Sequence, residues 1–365
     1  MSAKQFSSQH LHTLKTHNGK LPAAPHPGPV NAITFSSSPG TYLLTGSSDR
    51  SIHLSRAVPS STNTYPAEST APIQRYEAHG YSVLDIAVTA DNARFASVGG
   101  DRAVFLWDVE QGITTRRWSG HNARIETVQF AGEGDAVVVS GSADTTINLW
   151  DARASSPKPL QTLPEATDTV STLHAHMPTY SISSGSYDGR VRIYDIRMGQ
   201  TTVDVLGAPV TSVRCSGDGN AVLASTLDGR IRVLDRGDGK LLKAFPGEKE
   251  KEKEGKGPVY RNEELRIRSV FAANDGVVLS GSEAEKGEED KRAWGGRFVQ
   301  AGIQSQSQSK KQAQAYVFAW DVLSGEAIAS VPAGEGVRAV SCVAWNEKRG
   351  QWAGGCSDGT VKVYG

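Results

Sequence analysis

An all-β ring of seven blades, a β-propeller, is the fold that this 365-residue chain predicts. Three observations carry that expectation. A unit of three short alternating strand signals and two tight turns occurs seven times. Its turn aspartate recurs in steps of 43, 44 and 40 residues from Asp101 through Asp144 and Asp188 to Asp228. The last unit stops after its third strand, while an unpaired strand signal stands near the start of the chain. Pairing these two pieces would close a ring, which needs no polar caps.

The unit is clearest from His121 to Asp151. It alternates through IETVQF, turns at AGEGD, alternates again through AVVVSGS, turns at Ala143-Asp144 and ends in TINLWD. A three-stranded piece cannot bury both faces alone, so it requires stacked neighbours. In chain order the blade cores fall at about 30–55, 83–108, 125–151, 170–195, 210–235, 266–321 and 339–364, with a closing strand at about 10–16. All belong to one domain, 1–365. Turn aspartates stand at Asp49, Asp101, Asp144, Asp188, Asp228 and Asp358.

Three insertions, 56–71, 246–264 and 283–314, read as flexible. The first is low in complexity, 248–256 alternates charge without an apolar face, and 304–314 is a polar tract. Trp294 and Phe298 stand out there, since two aromatics in such a loop are expected to dock on the protein or on a partner.

Composition narrows the function classes. Lys+Arg and Asp+Glu both number 39, so net charge predicts neither a polyanion nor a membrane partner. The three cysteines, Cys215, Cys342 and Cys356, lack metal-ligand spacing, and an odd number argues against a disulfide scaffold. No signal peptide and no apolar run of membrane length is found, so a soluble protein of cytoplasm and nucleus is expected. No metal and no cofactor is expected, and no direct sequence-specific nucleic-acid contact. A ring of this kind should be monomeric on its own.

Blades two and three repeat a polar set: His79, Ser97, Asp101, Trp107, and His121, Ser140, Asp144, Trp150. Both sets resemble the structural tetrad of WD40 propellers, and the 40–44-residue steps match that repeat. Buried donors need acceptors, and a satisfied chain fixes the outer strands on the third. A His–Ser–Asp set could also be a hydrolase triad. Recurrence in two blades, with no nucleophile elbow nearby, argues for structure, and no enzyme activity is expected. The set decays elsewhere. Blade four has Ser184, Asp188 and Tyr194, blade five has Ala224 and Leu234, and blade one has Ser55 in the tryptophan position.

Strand order assigns loops to faces. Loops between blades and those between second and third strands share one rim, here called upper; the other loops share the lower rim. Arg50, Arg102, Arg124, Arg190, Arg230 and Arg266, with Tyr81, are expected around the upper mouth. Such a group could take an acidic peptide or phosphopeptide. On the lower rim, Trp150-Asp151-Ala152-Arg153 and Tyr194-Asp195-Ile196-Arg197 resemble the box by which some WD40 proteins dock onto cullin-4 ubiquitin ligase adaptors. That short motif makes Arg153 and Arg197 candidate contacts of a ligase substrate receptor, although local salt bridging would also place arginine there.

Further residues carry a family resemblance. EAHGYSVLDIAVTADNARFASVGGDRAVFLWDVEQG, followed in order by SGHNARIETVQF, QTLPEATDTVST, GSYDGRVRIYDIRMGQ, GAPVTSVRCSGDGN and STLDGRIRVLDRGDGKLLKAFPG, resembles the mitogen-activated protein kinase organizer 1 family, also described as WD repeat-containing protein 83. The resemblance continues through VFAWDVLSGEAIASVPAGEG and the final unit. Ser55 and the three added loops depart from the pattern, and the loops look like those of a fungal member. What the resemblance implies is a non-enzymatic scaffold that assembles spliceosomal components in pre-mRNA splicing, components of an extracellular-signal-regulated kinase cascade, or both.

Overall fold

The computed structural model describes residues 6–14, 28–58, 72–154, 156–247, 257–285 and 314–365. Seven antiparallel four-stranded sheets form a seven-bladed propeller, and the described residues contain no α-helix. Blade one comprises β2 (Val30–Phe35), β3 (Tyr42–Ser47), β4 (Ile52–Arg56) and β5 (Gln74–Tyr76). Blade two runs from β6 (Val83–Val88) through β7 (Arg94–Gly99) and β8 (Ala103–Asp108) to β9 (Thr114–Ser119). Blade three holds β10 (Ile125–Ala131), β11 (Val137–Ser142), β12 (Ile147–Asp151) and β13 (Gln161–Leu163).

Blade four is β14 (Val170–His176), β15 (Ser181–Ser186), β16 (Arg190–Asp195) and β17 (Gln200–Val205), and blade five is β18 (Val210–Cys215), β19 (Ala221–Thr226), β20 (Arg230–Asp235) and β21 (Leu241–Phe245). Blade six is β22 (Ser269–Ala272), β23 (Val277–Gly281), β24 (Tyr316–Asp321) and β25 (Ala327–Pro332). The last blade takes β26 (Val340–Asn346), β27 (Gln351–Cys356) and β28 (Val361–Tyr364) from the C-terminus and β1 (His10–Leu14) from the N-terminus.

Closure is therefore made by β1, whose His12, Thr13 and Leu14 lie against Val363, Lys362 and Val361 of β28. The expected strand end at 16 lies outside the described residues. Two further contacts hold the seam. Phe6 stacks on Trp345 and Trp352, and the Trp352 indole N–H donates to the Ser7 carbonyl at 2.9 Å. Pairing β28 removes an open sheet edge, which is the hazard of an incomplete ring.

Innermost strands of neighbouring blades share no ladder, so side chains join them, with a backbone bond between blades six and seven. Asn31 donates to the Val83 carbonyl at 2.9 Å, the Val128 N–H donates to Asp85 at 3.0 Å, and the Leu173 and Val213 N–H groups donate to the hydroxyls of Thr127 and Thr172 at 3.2 Å. Ser212 exchanges bonds with the Ser269 backbone at 3.2 Å, the Arg268 N–H donates to the Ser341 carbonyl at 3.0 Å, and Ser341 donates to the Val30 carbonyl at 2.7 Å. Every blade junction is thus bridged near the axis. Apolar residues complete each junction: Val98, Leu106, Val128, Val138 and Trp150, for example, form one core between blades two and three.

The insertions divide. Segments 59–71, 248–256 and 286–313, which include Trp294 and Phe298, lie outside the described residues. The expectation that 246–264 is flexible throughout fails for its second half. Tyr260 and Asn262 are buried, Asn262 donates to Thr211 at 3.1 Å, and Glu283 accepts from the N–H groups of Glu263, Glu264 and Leu265 at 3.1, 2.9 and 2.8 Å. A stretch that satisfies its backbone this way is part of the blade.

Candidate functional site

The polar sets of blades two and three are hydrogen-bonded chains. His79 meets Asp101 through Nδ1 at 2.5 Å and Ser97 through Nε2 at 2.7 Å, and the Trp107 indole reaches Ser97 at 2.8 Å. In blade three, His121 Nδ1 lies 3.0 Å from Asp144, its Nε2 lies 2.8 Å from Ser140, and the Trp150 indole lies 2.8 Å from Ser140. An indole N–H only donates and a carboxylate only accepts, so the direction is fixed. Tryptophan donates to serine, serine to histidine and histidine to aspartate. The serine hydroxyl is thus already committed to Nε2 and sits in a closed interior, which is the opposite of an accessible nucleophile.

Electrostatics agree. Burial alone would raise the Asp101 pKa, but the bonds from His79 and the Gly80 N–H outweigh it and hold that carboxyl below its usual range. Burial lowers the pKa of His121 despite the pull of Asp144, so its imidazole is kept neutral.

Other blades solve the same problem with different residues. Arg192 and Arg232, on the third strands of blades four and five, reach the turn aspartates Asp188 and Asp228 at 2.7 and 2.5 Å. Tyr260 fills the histidine position of blade six, with its hydroxyl 3.3 Å from Ser280 and its ring edge-on to Trp320 at 5.3 Å. The set is therefore replaced in these blades rather than lost. Period-2 alternation places Arg192 beside the core and could have flagged it. Tyr260 lay in a loop, where periodicity gives no signal.

The upper rim gathers part of the arginine set. Arg50, Arg102, Arg190 and Arg230 are exposed at their turns, Tyr81 is 65% exposed, and Arg124 is exposed while touching Glu126 at 2.6 Å. Arg50 and Arg102 hold left-handed backbone, with φ of 73° and 57°. Blades four, five and seven place Gly189, Gly229 and Gly359 at the same step after the turn aspartate, with φ of 76°, 69° and 81°. A side chain there costs about 1–2 kcal/mol that glycine avoids.

Arg266 is turned inward at the upper mouth and is not exposed on the rim, which corrects its expected place among the rim arginines. Its guanidinium crosses the central channel and donates to the carbonyls of Leu84, Glu126 and Ser171 at 2.8, 2.5 and 2.9 Å. Arg268 lies beside it, 2.6 Å from Asp85. Burial alone would raise the Asp85 pKa, but Arg268 and Arg266 outweigh it and keep the carboxyl ionised. These two arginines shut the upper end of the channel. The i, i+2 spacing of Arg266 and Arg268 about the buried Ile267 is the signal that both share one face.

On the lower rim, Arg153 and Arg197 are exposed but already engaged. Arg153 donates to the Glu133 carbonyl at 3.1 Å, and the Arg197 guanidinium lies 3.5 Å over the Tyr180 ring. Among the described residues no group of His, Cys, Asp and Glu is placed to hold a metal, and no helix is long and apolar enough to cross a membrane.

Known proteins resemble this chain in sequence. A family model for the N-terminal domain of nucleolar protein 10-like proteins matches residues 82–287, and the WD domain, G-beta repeat model matches residues 8–54. WD repeat domain-containing protein 83 of Homo sapiens is 36% identical over 310 residues, covering 85% of this chain and 81% of its own length. The Rattus norvegicus protein of that name is 34% identical over the same extent. The chain belongs to the WD repeat domain-containing protein 83 family. A WD repeat-containing protein of Schizosaccharomyces pombe is also similar, at 35% over 258 residues, with 71% of this chain and 78% of that protein covered. Membership places the chain among scaffold-type WD40 propellers, which generally mediate protein–protein interactions.

Proposed function

We propose that this ring assembles protein complexes by holding acidic or phosphorylated segments of its partners on the upper rim, at Arg50, Arg102 and Arg124 beside Tyr81. One observation carries the proposal. Arginine occupies left-handed turn positions in blades one and two where three other blades use glycine and blade three uses the uncharged Thr145, at φ 71°. Keeping a long cationic side chain at a position that disfavours it is explained if the guanidinium is used. Arginine pairs bidentately with carboxylate and phosphate, and an exposed tyrosine adds rigid contact area.

The complexes are those that the family resemblance implies, spliceosomal assemblies, kinase-cascade assemblies, or both, in nucleus and cytoplasm. Affinity capture with mass spectrometry tests this. Recovery of spliceosomal or kinase-cascade proteins, lost when Arg102→Ala and Arg124→Ala are combined, supports the proposal. Unchanged recovery from the double variant refutes the use of the rim. Recovery of a cullin-4 adaptor that disappears on Arg153→Ala would instead assign the ring to a ligase.

A further inference from the structure

The channel closed above by Arg266 and Arg268 is open below. Two adjoining cavities of about 570 and 350 Å³ occupy its lower half and share Ile33, Thr34, His174 and Arg214 as walls. Arg214 and His174 present hydrogen-bond donors there that no acceptor among the described residues takes up.

Arg214 uses Nη1 on the Leu173 and Val213 carbonyls at 3.1 and 3.3 Å. Among the described residues no acceptor is bonded to its Nη2 or Nε. One carboxylate of the channel, Asp85, is taken by Arg268 at 2.6 Å. His174 has a fixed tautomer. The Cys215 N–H donates to its Nδ1 at 3.0 Å, so the proton of the neutral ring sits on Nε2. That ring stays neutral, because burial, then Arg214 and His176, push its pKa down to about 3. Burial and the neighbouring Arg268 bring Arg214 down to about 10, which still leaves it charged.

Arg214 and His174 are half-buried in the channel wall, so the free edge of the guanidinium faces the cavity, where a carboxylate can pair with it bidentately. Acids at the mouth limit what that ligand can be. Asp135, Asp275 and Glu347 each accept one backbone N–H from the neighbouring blade, from Ala90, Gly217 and Asn274 at 2.6, 2.7 and 2.9 Å. Their negative charge disfavours a dianion and tolerates a single carboxylate entering between them.

We propose that the lower channel is a pocket for one carboxylate side chain of a partner protein, bound by the free edge of Arg214 and by Nε2–H of His174. It stands apart from the upper rim, so either proposal can fail alone.

Acetate serves as the probe, titrated into the full-length protein at constant ionic strength set with chloride and followed by carbon-13 line broadening. A dissociation constant on the order of millimolar is expected, within reach of a ligand of four heavy atoms. Arg214→Gln should weaken it at least tenfold. His174→Asn keeps an acceptor for the Cys215 N–H, removes the second donor and should weaken it about threefold, with the thermal midpoint reporting that each variant is folded. Phosphate should compete poorly. Equal acetate affinity in all three proteins, no binding up to 100-fold above the expected ~1 mM range, or tighter phosphate than acetate binding would each overturn the assignment.

Discussion

Replacing Ser97 by alanine removes the one hydroxyl through which Trp107 and His79 meet. The Trp107 N–H loses its acceptor and His79 Nε2 loses its donor, both in a buried setting at 2.8 and 2.7 Å from the deleted oxygen. Each buried group left unpaired costs about 1–3 kcal/mol, so Ser97→Ala should destabilise the ring by about 2–6 kcal/mol. Ser183 offers the matched comparison. It is equally inaccessible on the second strand of blade four, yet its hydroxyl has no hydrogen-bond partner among the described residues. Ser183→Ala should therefore be neutral or stabilise by up to about 1 kcal/mol. Urea unfolding at pH 7, followed by tryptophan fluorescence, measures both against the unmodified protein. Equal midpoints for the two variants would refute the relay as a source of stability.

Three other outcomes are expected. His174 takes its proton near pH 6.5 when unfolded but near 3 in the fold, so the unfolded state binds more protons as pH falls through that window. Stability should then be full above pH 6.5 and decline toward pH 4, and His174→Asn should make that limb shallower in a thermal melt series, the remainder belonging to His121 and His12, whose pKa values burial also lowers. The carboxyls held low, Asp85, Asp101 and Asp144, contribute stability above about 3.8 that is lost only as pH falls further, so the variant should leave that lower limb in place. Removing the chain through Leu14 should open the ring at β28 and cost several kcal/mol, since it strips Leu14 and Phe6 from the last blade. Size-exclusion chromatography should show that truncated protein associating through its free edge, whereas removing residues 1–5 should not.

Much of this ring is written in the sequence because its regularities are local. Strand alternation, turn aspartates and the Trp-Asp ends lie within one blade, so blade count, closure by β1 and the pairs His79–Asp101 and His121–Asp144 could be read from spacing. What escaped depends on long-range geometry. Arg266 bonds carbonyls of three blades across the axis, and neither its charge nor its position in the repeat distinguishes it from Arg124. Tyr260 substitutes for a histidine from a segment with no alternation, and Arg192 replaces a histidine contact from a different strand. The turn aspartate was visible in both blades four and five. Its partner was not, because two unrelated side chains can satisfy one carboxylate.

The central claim is that the upper-rim arginines are kept for binding at the expense of backbone strain. Arg50→Gly combined with Arg102→Gly tests it in one preparation, with thermal unfolding and partner capture measured side by side. Glycine relieves the left-handed turns, so the double variant should be as stable as the unmodified protein or more so, by up to about 1 kcal/mol per site, while losing its captured partners. A double variant that keeps every partner would contradict the claim.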